Sequence, residues 1–63
     1  GDTRAIPALG ETLLHDPYVH VRVQAARSLR ALGGPSAHAF LTQARNREHE
    51  PAVLAVLPDN IPL

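Results

Sequence analysis

One helix with its own start and stop signals lies between Asp16 and Gly33, and it constrains the fold more than any other feature of the chain. Asp16 is placed to cap the first turn, and Pro17 suits the first helical position, where a missing N–H costs nothing. Val21, Ala25, Leu29 and Leu32 recur at helical spacing on one face, and Gly33-Gly34 ends the run. The small Ala25-Ala26 pair in that stripe lets a neighbouring helix come close. Such a helix is built to be stacked on both sides.

Three further segments carry the same signals. The first runs from about Thr3 to Leu14, with Asp2 or Thr3 as N-cap and Ile6, Leu9, Leu13 and Leu14 facing inward; Pro7 favours a start nearer Ala5. Gly10 lowers helix propensity by about 1 kcal/mol against Ala, which points to a close backbone contact with the next helix. Pro35 opens a third helix to about Ala44, burying Ala37, Phe40, Leu41 and Ala44, and Arg45-Asn46-Arg47 reads as a polar connection. A fourth, over 50–57, carries Val53, Leu54, Val56 and Leu57 and is stopped by Pro58. Residues 58–63 read as an extended tail. Connections this short fold consecutive helices back on one another. The expected fold is all-α: antiparallel helix pairs stacked as a short α–α superhelix of three to four helices, forming one module over 1–57.

At 63 residues such a module is thermodynamically thin. Surface scaling gives roughly 6,000 Å² buried on folding, about 3,500 Å² of it apolar and worth about 90 kcal/mol. Ordering the chain costs about 95 kcal/mol. With no Cys, no Trp, one Tyr and one Phe, the core must be aliphatic and has no disulfide to help it. That balance favours a piece resting against more protein. The absence of Met and the Gly1-Asp2 start fit the same picture, and the natural protein is expected to be longer.

Six Arg balance six acidic residues and Lys is absent, so no broad basic field is present to hold nucleic acid and no acidic tail to attract cations. No run of 18 apolar residues and no signal-peptide core occurs, so membrane insertion is not expected. The lack of Cys fits the cytoplasm and leaves the compartment open.

Sliding the chain on itself by 32 residues aligns Gly1 with Gly33, Ala5 with Ala37, Leu9 with Leu41 and Val21 with Val53, and Asp16 then meets Glu48. Each pair marks a turn, a core position or a helix start. Gly1 through Leu9, Leu13, Asp16-Pro17, Val21-Arg22, Ala25-Ala26 and Leu29 through Gly33 together resemble a HEAT-like repeat of the short type first noted in phycobilisome (bilin) lyases. In that pattern an acidic-Pro helix start is followed by Val-Arg, Ala-Ala and Ala-Leu-Gly, and Ser28 stands here where Ala is commoner. The second unit departs from it: Leu54 replaces the Arg, Arg45 replaces a core Leu, and Pro58 removes the Ala-Leu-Gly end. The resemblance implies a right-handed α-solenoid that binds other proteins, with a minority of relatives being enzymes. Asp16, Pro17, Val21, Arg22, Ala25, Ala26, Leu29, Leu32 and Gly33 are then the structural repeat residues, Asp16 and Arg22 linking the turn of one unit to its neighbour.

Candidate chemistry is sparse. Arg22, Arg27 and Arg30 could grip a carboxylate or phosphate, but such a row is more often a solvated helix face. His15, His20, His38 and His49 form no His-x-x-x-His pair and have no Cys to assist. The resemblance also covers hydroxylases of a modified lysine (deoxyhypusine), whose di-iron centre uses several His-Glu pairs at helix starts; His49-Glu50 alone does not build one. Ser28 faces a helix interior, Ser36 sits in a first turn, and Pro35 removes one of the free N–H groups that a phosphate cradle at Gly33-Gly34 would need. The expectation is therefore a non-catalytic protein-interaction or scaffolding module with no cofactor, no metal, no nucleic acid and no small-molecule ligand. The alternative is a helical piece of a hydroxylase-like or bilin-lyase-like enzyme whose active site lies mostly elsewhere. By the resemblance, the helices over 3–14 and 35–44 line the concave side, making Arg4, Glu11, His15, Ser36, His38 and Gln43 the candidate partner-facing residues.

Overall fold

In the computed structural model, which describes residues 4–57, four helices follow in chain order: α1 (Ala5–His15), α2 (Val19–Leu32), α3 (Gly34–Arg47) and α4 (Pro51–Leu54). No strand occurs among the described residues. α1 packs on α2 and α3, and α2 packs in turn on α3 and α4. α1 and α3 thus form one layer and α2 and α4 the other, the all-α stack of hairpins that the spacing predicts. Every connection is one to three residues long, so each helix must double back on the last.

The helix ends differ from expectation for local reasons. Arg4 is a turn residue and α1 begins at Ala5, which leaves Pro7 inside the first turn, where no N–H is needed; Thr3 lies outside the described residues. α2 starts at Val19 rather than Pro17. Tyr18 is extended, and its carbonyl accepts the first helical bond from Arg22 N–H at 3.1 Å. Asp16 therefore does not cap the helix. Its carboxylate accepts the N–H of Tyr18 at 2.8 Å and stiffens the turn just before it.

α3 runs on through Arg45-Asn46-Arg47, which form its last turn and not a connection; the Glu48 N–H still bonds to the carbonyl of Ala44 at 2.8 Å. Cationic side chains at a helix C-terminus suit its dipole, so the charge that reads as loop also serves as a helix end. α4 is a single turn opened by Pro51. Beyond Leu54 the winding tightens, with Val56 and Leu57 N–H groups bonding three residues back instead of four. The expected tail over 58–63 lies outside the described residues.

The core is aliphatic. Leu13, Leu29 and Val53 are its largest fully buried side chains, one each from α1, α2 and α4. Ala25, Ala26, Ala37 and Ala44 separate them and allow the helices to approach closely. Val21 does not join this core: the inward face of α2 is centred on Ala25, Ala26 and Leu29, and Val21 is only half-buried. Gly10 is buried, but its close contact is with a side chain on α3. A Cβ there would overlap the ring of Phe40, so the glycine is a seat for that ring.

Candidate functional site

Because the helices alternate in direction, the α1–α2 and α3–α4 turns fall on one edge of the stack and the α2–α3 corner on the other. The two edges are built from different chemistry. On the first, Asp16 and Glu48 end α1 and α3, and each carboxylate accepts the N–H of the residue two places on: Tyr18 at 2.8 Å and Glu50 at 3.2 Å. The 32-residue offset seen in the sequence is thus repeated in the turn geometry.

Arg22 ties these two turns together. Its Nη1 donates to the main-chain carbonyl of Asp16 at 2.7 Å. Its Nε and Nη2 donate to Oε1 and Oε2 of Glu48 at 3.0 and 3.1 Å. Only 16 % of the Arg22 side chain and 9 % of the Glu48 side chain is exposed, so the forked pair is shielded from water. Burial pushes the Glu48 carboxyl up, but hydrogen bonds from Arg22, Glu50 and His49, with the Arg22 charge, more than offset it and hold its pKa below the ordinary 4.5. Arg22 does link one unit's turn to its neighbour, but through the carboxylate of Glu48 and only the backbone of Asp16. Sequence reasoning placed Glu48 opposite Asp16 and did not name it as a site residue.

The other edge turns on Gly33 (φ 69°) and Gly34 (φ 89°). Arg30 lies beside it, with Nη1 donating to the carbonyl of Val56 at 3.0 Å. The row of three guanidinium groups is therefore divided: Arg22 is spent on Glu48, Arg30 leans across to the turn that follows α4, and Arg27 is exposed.

The candidate partner-facing residues Arg4, Glu11, His15, Ser36, His38 and Gln43 are all exposed, but they do not form one patch. Glu11 and His15 pair one turn apart on α1 at 3.5 Å. Ser36 lines an apolar groove with Ile6, Pro7 and Phe40. His38, two residues further along α3, lies on another side of that helix and lines a groove with Leu29, Arg30 and Leu41. His15 borders the Arg22–Glu48 edge. Among the described residues no three His, Cys, Asp or Glu side chains come together in a metal-holding group. No helix among them is long and apolar enough to cross a membrane.

The family model described as PBS lyase HEAT-like repeat matches residues 21–46, from the second residue pair of α2 to the last turn of α3. No curated protein and no solved structure matches the chain.

Proposed function

Since the chain carries a HEAT-like repeat of the PBS lyase type, we propose that it is a non-catalytic docking or scaffolding element within a longer helical stack. The observation that carries this reading is an inequality between equivalent positions. Ala37, Leu41 and Val53 are buried against the first helix pair. Ala5, Leu9 and Val21, 32 residues earlier, are only half-buried. In a longer stack a preceding pair would cover what these three leave exposed. A module that ends on an open apolar side needs more polypeptide against it, whether further repeats or a partner.

Within that stack the α1–α3 layer is the surface offered to a protein partner. Ser36 adds a polar contact beside the half-buried Phe40, while Arg4, Glu11, His15 and Gln43 add theirs elsewhere on the layer, and His38 is set aside because it faces another groove.

A photo-crosslinking residue placed at Gln43, and separately at Gln24 on the outer layer, tests this in the whole parent protein. Adducts to a second protein are expected from Gln43 and not from Gln24, and a paired Arg4→Glu, Glu11→Arg exchange should remove them. Equal adducts from both positions, or adducts indifferent to the exchange, would overturn the assignment. Stoichiometric iron in the parent protein would instead favour a piece of a hydroxylase.

A further inference from the structure

From Pro17 to Arg47 the chain contains no Asp or Glu, yet it holds five of the six cationic side chains, Arg22, Arg27, Arg30, Arg45 and Arg47, together with His20 and His38. Arg22 is neutralised by Glu48 at the far edge. At the α2–α3 corner, Arg30 and His38 are exposed, and neither α2 nor α3 carries a carboxylate to meet them.

Two depressions meet at that corner. One is apolar and lies between the first turns of α1 and α3, lined by Ile6, Pro7, Pro35 and Phe40. The other is bordered by Arg30 and His38. Gly33 and Gly34 line both, so no side chain separates them. Arg30 is not free to collapse away, because its Nη1 is held by the Val56 carbonyl. That bond uses one of the five N–H donors of a guanidinium and leaves a fork suited to a carboxylate.

We infer that this corner receives an acidic–apolar segment of a partner protein, its apolar side chain against Pro7, Pro35 and Phe40 and its carboxylate on Arg30 and His38. Charge complementarity selects the acid, and the adjoining apolar groove selects its neighbour. Nucleic acid fits less well: Lys is absent, and Tyr18, the exposed aromatic ring, sits at the opposite edge where it could not stack a base beside these cations. The inference shares the Phe40 groove with the α1–α3 reading, but Arg30 and His38, on which its test turns, lie outside the residues that reading uses.

The test is an NMR titration of the whole parent protein, isotope-labelled at glycine and histidine, with a capped peptide alternating Glu and Leu, beside its Gln–Leu isostere and an oligouridine of equal charge. The Glu–Leu peptide is expected to shift the Gly33, Gly34 and His38 amides. Arg30→Glu should weaken it about tenfold, as expected from reversing a charged hydrogen-bond partner. His38→Glu, in an independent exposed position, should weaken it in the same direction. Shifts confined to other residues, equal binding of the isostere or the oligouridine, or indifference to both substitutions would overturn the inference. So would binding that appears only after residues 58–63 are removed, because the corner would then belong to the chain's own end.

Discussion

The two edges of this stack solve the problem of reversing a helix in opposite ways. At the turn edge the chain uses ordinary backbone angles and fixes them with side chains: Asp16 and Glu48 each hold an N–H two residues on, and Arg22 clamps both turns. At the corner edge no side chain participates. Gly33 (φ 69°, ψ −171°) and Gly34 (φ 89°) make the reversal, both at positive φ, where L side chains are strained. The first edge spends its charges on structure, and the second leaves them exposed. Where a fold can turn on glycine alone, its cations remain available for something else.

The sharpest way to break this contrast is Arg22→Ala. It strands the shielded Glu48 carboxylate and frees both turns, at a cost of about 3 kcal/mol. In a domain this small that loss should leave much of the chain unfolded by circular dichroism at 25 °C. Arg30→Ala, the matching removal at the corner edge, should cost under about 0.5 kcal/mol, as for other exposed contacts. Comparable losses from the two would erase the distinction.

Next in size is Gly33→Ala. A Cβ at that position meets nothing within 4 Å, so the expected cost of about 2 kcal/mol is entirely backbone strain. Urea unfolding would measure it, and a neutral result would show that the corner relaxes freely. The smallest effect belongs to pH. The folded pKa of Glu48 lies below 4.5, so its contribution is complete above that value and is lost as pH falls through the lower, folded value. Glu48→Gln should lower stability at pH 7 by about 1–2 kcal/mol and flatten the loss on acidification. An unchanged acid limb would mean that other carboxylates carry it.

Much of this was legible in the residues. The period of Val21, Ala25, Leu29 and Leu32 and the glycine stop predict α2, although Val21 stays outside the core, and the 32-residue offset alone brings Asp16 and Glu48 into register. What was hidden depends on rotation and on partners distant in sequence. Ser36 and His38 look like neighbours, but two residues along a helix is about 200° around it, so they serve different grooves. Gly10 signals a close approach without saying that the visitor is the ring of Phe40, thirty residues away. The Arg45-Asn46-Arg47 stretch is polar enough for a loop and equally suited to an exposed helical turn. Nor does any local signal show that Arg22 chooses the side chain of Glu48 over that of Asp16.

The grip of Arg22 also decides how the chain comes apart. Peeling the second hairpin from the first would leave a guanidinium and a carboxylate, both now shielded, without their counterparts, while Ala37, Leu41 and Val53 would be laid bare. Neither hairpin is large enough to survive that separation. The pair must melt in a single cooperative step, and within a longer array the same clasp would pass the stability of each unit on to the next.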